Sequence, residues 1–308
     1  MKRIADLETA PLEVTSQIRG NLLGIYEDNS EEWHRLRNEP GAIGGSDVGV
    51  LLGLSSWVSP YALWAKKKGL IPDQETSEAM EWGHRLEAPI AAKFAESRNG
   101  TTYVNCGTWA SKENSLHRAN PDAIYVTPTG EVQLVEIKTA RDETYWKDEN
   151  GKLTVPATYR AQVQWYLYVL GLERATVAVL FAGSRYYEFA IEASEFEQEL
   201  AVREADNFIT LLLSEETPEL TAPFTATQEA LRFQHPEIDQ EESVELGDLG
   251  VHYLNSIGKL EEAQGLVDEL KARVLEAMGS ARRGLVYDQW LVTRQARKGG
   301  LPYLVNRK

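Results

Sequence analysis

The sequence has almost no cysteine. Cys106 is the single one in 308 residues, which excludes an intramolecular disulfide, a cysteine zinc cluster and a four-cysteine iron–sulfur site within the chain. A cytoplasmic setting is expected. Long apolar runs are missing too. No stretch approaches the ~20 residues of a membrane-spanning helix, and the opening MKRIADLETAPLEV follows its two basic residues with no apolar run, so no secretory leader is expected there. No Walker A motif is present, which excludes a fused helicase motor, and no repeat with a period of about 20–50 residues is visible. Positive charge is in deficit. Against 47 acidic residues stand 32 basic ones, a net charge of −15. That argues against broad, non-specific binding to nucleic acid, but not against a metal site built from acids with basic groups placed locally.

What is present is an ordinary soluble composition, 43% hydrophobic and 26% charged, long enough for a sizeable core and one or two domains. The charge is unevenly spread. Residues 214–250 hold ten acidic residues and one arginine, whereas residues 251–308 hold ten basic and six acidic ones. Three regions follow: residues 1–213 as the main globular part, 214–242 as an acidic linker, and 243–308 as a C-terminal helical region ending in a basic β-hairpin.

The chemistry concentrates in NPDAIYVTPTGEVQLVEIKTA, residues 120–140. Two apolar runs, Ala123–Val126 and Val132–Ile137, flank the turn signal Thr127-Pro128-Thr129-Gly130, which is a β-hairpin pattern. The open ends of the hairpin bring Asp122 close to Glu136. Because strand side chains alternate, Glu136 and Lys138 share a face while Ile137 points into the core. Two carboxylates and an amine thus converge. Such an oxygen-rich pair suits a hard divalent ion, which can polarise a phosphodiester and acidify a bound water, with a lysine beside it to orient that water or steady developing charge.

Around the hairpin the elements read in order. Glu31–Arg37 is a short helix carrying Arg37 near its end. The turn from Pro40 to Gly45 leads into a helix, Val48–Leu52, capped by Ser46 or Asp47, and free N–H groups at such a start can bind phosphate. Ser59-Pro60 opens a helix over Tyr61–Lys68, closed by Gly69. A longer helix spans about Ser77 to Arg98; Leu86, Ile90 and Phe94 form its apolar stripe, and Glu87 borders the buried side. Thr101–Ala110 reads as a strand. His117 and Arg118 precede the hairpin closely enough to touch the site or its substrate. A polar loop, Arg141–Lys152, carries Tyr145 and Trp146. The helix Tyr159–Gly171 presents Tyr159, Gln162 and Tyr166 on one face. Two strands, Ala175–Ala182 and Tyr186–Ile191, and a helix over Ser194–Leu213 complete an α/β layout with a mixed sheet flanked by helices. Beyond the linker, Ser243–Met278 is a helical region with a break near Gly258, and Gly284–Gln295 a two-strand hairpin.

Six of these pieces occur together and in order: Trp33-His34-Arg35-Leu36-Arg37, Gly44-Gly45-Ser46-Asp47, Glu81-Trp82-Gly83 with Glu87, Asn120-Pro121-Asp122, Glu136-Ile137-Lys138, and Ala161-Gln162-Val163-Gln164. In this the sequence resembles the lambda-exonuclease-like, YqaJ-type viral recombinase nucleases of the PD-(D/E)xK superfamily. The resemblance implies that Asp122, Glu136 and the carbonyl of Ile137 hold Mg²⁺, with Mn²⁺ as an alternative. Glu87 would support a second ion or its waters. Lys138 would position or activate water, and Gln162 would orient the lysine or the nucleophile. Arg37 and Ser46 would clamp the 5′-phosphate of a DNA end. It further implies 5′→3′ digestion of linear double-stranded DNA, a 3′ single strand handed to an annealing protein for phage-type recombination, and a ring-shaped homotrimer. Residues 214–308 have no counterpart in the lambda enzyme. The competing expectations are an endonuclease on the same core, separable by its action on circular DNA, and a non-catalytic DNA-end-binding protein, which the intact Asp122, Glu136 and Lys138 argue against.

Overall fold

The structure, a computed structural model, describes residues 12–26, 30–37, 39–72, 77–104, 106–220 and 225–306. The chain divides into two compact units, Met1–Glu237 and Ile238–Lys308. In chain order the first unit opens with α1 (Leu12–Thr15), β1 (Asn21–Gly24), α2 (Glu31–Arg37), α3 (Gly45–Leu51), α4 (Pro60–Lys67) and α5 (Glu78–Glu96). Then come β2 (Thr101–Val104), β3 (Thr108–Ala110), β4 (Arg118–Ala119), β5 (Ala123–Val126) and β6 (Val132–Ala140). It closes with α6 (Ala157–Leu170), β7 (Arg174–Phe181), β8 (Arg185–Glu192), α7 (Glu195–Leu213) and α8 (Thr225–Gln234). The second unit holds α9 (Gly247–Met278), β9 (Arg283–Val286), β10 (Gln289–Gln295) and β11 (Tyr303–Asn306).

The main sheet of the first unit has the order β2-β5-β6-β7-β8. Only β6 and β7 pair in parallel; the other neighbours are antiparallel, so the sheet is mixed as expected. The parallel pair needs a crossover, and α6 supplies it. The hairpin β5–β6 closes with Ala123 opposite Val135 and Val126 opposite Val132. Alternation along β6 then sorts the two faces. Val135 and Ile137 meet Ile90, Ala91 and Phe94 of α5. Leu134 joins the larger cluster on the other face, with Val163 and Leu167 of α6. Glu136, in phase with Leu134, is therefore turned toward α6.

Several expectations are corrected. Thr101–Ala110 is not one strand. Gly107 turns the chain at φ 81°, and the two halves join different sheets, with β3 pairing β1 and β4 in a small three-stranded sheet. A Cβ at Gly107 would lie 2.6 Å from the Gly24 carbonyl, so only glycine permits that approach. α3 begins earlier than predicted: Gly44 is the N-cap, and the Asp47 carboxylate reaches back to accept from the Gly44 N–H at 2.9 Å, which leaves Ser46 inside the first turn. The segment 214–242 holds a helix, α8, where a linker is expected. Thr227 Oγ1 donates to Ser59 Oγ at 2.7 Å and Tyr61 Oη to Gln234 Oε1 at 3.0 Å, fastening α8 beside α4. In the second unit α9 runs unbroken through Gly258. The basic hairpin gains a third strand, giving the antiparallel order β11-β10-β9. Among the described residues no helix is long and apolar enough to cross a membrane.

Candidate metal and active site

The site is built where β5 begins, beside the far end of β6. The first residue of β5, Ala123, pairs with Val135. One residue before it, Asp122 supplies a side chain in place of backbone: its Oδ2 accepts from the Ile137 N–H at 2.6 Å. This fixes the first carboxylate beside the second. Asn120 anchors the approach, donating through Nδ2 to Thr108 Oγ1 at 2.7 Å.

Glu136 is fully buried. Its Oε1 accepts from Lys138 Nζ at 2.6 Å and from Gln162 Nε2 at 2.7 Å. Its Oε2, equally buried, has no hydrogen-bond partner. Burial, and then the charge of Asp122, push the Glu136 carboxyl above the ordinary carboxylate range against the pull of Lys138. Burial alone would lower the Lys138 ammonium, but Glu136 and Asp122 outweigh it and hold it above the usual lysine range. Lys138 Nζ also lies 5.2 Å from the Tyr159 ring centroid. Behind Gln162, the buried Tyr166 hydroxyl accepts a longer bond of 3.3 Å from the same amide. Burial and the two carboxylates push that hydroxyl up, so it stays neutral.

The first turn of α3 closes over this group. A Cβ at Gly45 would lie 2.5 Å from Tyr166 Cε1 and 2.9 Å from Gln162 Cγ. Gly45 is thus a packing residue, and Ser46, the next residue, is exposed. Lys67 holds the turn in place, donating to the Ala42 carbonyl at 2.6 Å and pairing with Asp47 at 2.9 Å.

Asp122, Glu136, Ile137, Lys138 and Gln162 therefore come together, and Ser46 follows Gly45, whose backbone packs against Gln162 and Tyr166. Glu87 does not join them in a cluster. It is carried by α5, which packs on the opposite face of the sheet, and its Oε1 lies 3.1 Å from His84 Nδ1. Among the described residues no three Asp, Glu, His or Cys side chains form a metal-binding group. The side chain of Arg37 lies outside the described residues. His117 and Arg118 face away from the role expected of them. His117 is buried, with Nε2 3.0 Å from Asp206 Oδ1 and Nδ1 3.1 Å from Tyr168 Oη, and Arg118 pairs with Glu39. The sequence shows the Gly44-Gly45 doublet, but not that the second glycine is needed against Tyr166, since that contact joins residues over one hundred positions apart.

A family model agrees with the motif reading. Residues 32–173 match the model of the YqaJ-like viral recombinase domain. The chain is 29% identical over 270 residues to the uncharacterized protein YqaJ of Bacillus subtilis (strain 168), covering 84% of this chain and 82% of that one. An alkaline exonuclease, LHK-Exo, from Laribacter hongkongensis superposes with a TM-score of 0.48 at 21% identity, over 59% of this chain and 92% of its own. A phage-related exonuclease from Haemophilus somnus 129PT superposes with a TM-score of 0.39 at 13% identity, over 56% and 96%. The stretch that resembles the YqaJ-like viral recombinase domain, residues 32–173, is the one that holds Asp122, Glu136, Lys138 and Gln162.

Proposed function

We propose that this chain is a divalent-metal-dependent deoxyribonuclease that degrades linear double-stranded DNA from its ends, in the 5′→3′ direction, leaving 3′ single strands for an annealing protein. The observation that carries the metal is Glu136 Oε2, a buried carboxylate oxygen without a hydrogen-bond partner. Such an oxygen is costly to bury unless something positive meets it. With the Asp122 carboxylate and the Ile137 carbonyl it makes an all-oxygen donor set, which fits Mg²⁺ or Mn²⁺. A bound ion would polarise a scissile phosphodiester and lower the pKa of a water.

The chain's own residues do the rest. Gln162 holds Oε1 of Glu136, so that Oε2 is the oxygen left to face an ion. Lys138, kept protonated by its two carboxylate neighbours, serves as a fixed cation that orients water and steadies charge on the phosphate rather than as a base. Ser46, exposed in the first turn of α3, and Arg37, at the end of α2, would hold a 5′-phosphate. A fixed terminal phosphate sets the next phosphodiester at a constant distance, which accounts for stepwise digestion from an end. Glu87 is left to a supporting role from the far face of the sheet.

Digestion of 5′-phosphorylated linear duplex beside nicked and closed circles, in Mg²⁺ or EDTA, tests the reading. Loss of linear DNA alone, only in Mg²⁺ and abolished by Lys138→Ala, is the expected result. Cutting of closed circles would make the protein an endonuclease. DNA-end binding without cleavage in any lane would leave it a non-catalytic end-binding protein.

A further inference from the structure

The surroundings of Lys138 continue outward as a row of aromatic rings. Tyr159, beside Lys138 Nζ, meets Tyr145 edge-on with centroids 6.2 Å apart, and Tyr145 meets Trp57 edge-on at 5.6 Å. The two outer rings lie in solvent: Tyr145 is 44% and Trp57 66% exposed. Yet they are held. Tyr145 Oη shares a hydrogen bond of 2.9 Å with Thr158 Oγ1. The next residue, Trp146, is buried and stacks on Phe189 with centroids 5.8 Å apart. The Trp57 backbone N–H donates to Ser55 Oγ at 3.3 Å, and Ser59 caps α4 two residues on, which fixes the backbone that carries the indole. Large rings fixed in water at the mouth of a site present open π-faces.

We propose that Trp57 and Tyr145 form a stacking platform for an unpaired nucleobase of the strand whose backbone enters the Lys138 site. This rests on the reading of that site as a deoxyribonuclease. Charge gives the mouth little hold on DNA. The loop 141–152 carries three basic and four acidic residues, and Lys147 is paired to Glu143 at 3.2 Å. In a chain of net charge −15, base stacking supplies grip that needs no positive charge, and it tolerates any sequence because every base has a π-face.

The test is fluorescence anisotropy of labelled duplex with a short unpaired end, in EDTA so that nothing is cleaved, over a series of salt concentrations. Trp57→Ala is expected to weaken binding on the order of tenfold and Trp57→Phe to restore most of it. The slope of log affinity against log salt stays unchanged, because no phosphate contact is lost. A Trp57→Ala variant that binds like the wild type, or one that changes the salt slope, overturns the platform. Mg²⁺-dependent digestion by the wild type, run alongside, separates the two readings. Digestion with Trp57→Ala binding intact sinks the platform alone; a wild type that neither digests nor binds DNA sinks the functional reading as well.

Discussion

Replacing Glu136 by glutamine keeps the side chain's shape and its acceptor for Gln162 while removing the charge that a cation would meet. The wild type is expected to melt higher as Mg²⁺ is added, by about 2.7 kcal/mol at a hundredfold excess over Kd. Glu136→Gln should keep its fold and lose the shift; differential scanning calorimetry with and without the ion reads both. His117 gives a pH effect of definite sign. Burial lowers its pKa despite the nearby Asp206 and Glu113 carboxylates, so the folded chain binds that proton less readily than the unfolded chain, which takes it up near the ordinary value of about 6.5. Stability from this residue is present above that pH and lost as pH falls below it. Urea titrations from pH 7.5 to 5.5 should show the decline, and His117→Gln should flatten it. Which of these side chains matter was unevenly legible. Asp122, Glu136 and Lys138 could be placed together because one short hairpin joins them. His117 looked like a site residue because it is near the hairpin in sequence, but its partners come from α6 and α7, which no local pattern announces.

At the scale of elements, the strands and helices followed their periodicity, and the misses occurred where one glycine or a distant partner decides. Gly107 splits a strand-like run. α8 looks like linker because its buried face is only Thr227 and Ala230, too small to stand out until α4 is beside it. The turn between β7 and β8 leads to a prediction. Ala182 and Gly183 both have positive φ, 50° and 69°, the signature of a type I′ hairpin turn, and alanine is disfavoured at its first position. Ala182 is exposed, and Ala182→Gly should stabilise the protein by about 0.5–1 kcal/mol, measured as a shift in the urea midpoint at unchanged slope.

At the scale of the whole molecule, every described candidate site residue lies in the first unit, Met1–Glu237. A chain cut after Glu237 should therefore fold and show the same Mg²⁺-dependent rise in melting temperature as the full chain; loss of that rise would mean the second unit contributes to the ion site. The parallel pairing of β6 with β7 has a kinetic consequence. Asp122 and Ile137 are closed by a short hairpin loop. Gln162 arrives only on the crossover helix that must be in place before β7 can dock, and long closures come late. During refolding the acidic pair should assemble before its glutamine clamp exists. In pulse-labelled hydrogen exchange, amides of the β5–β6 hairpin should then gain protection ahead of those of β7. For that interval the growing chain carries an unrestrained pair of carboxylates, so the order of folding sets when the protein first becomes able to choose its ion.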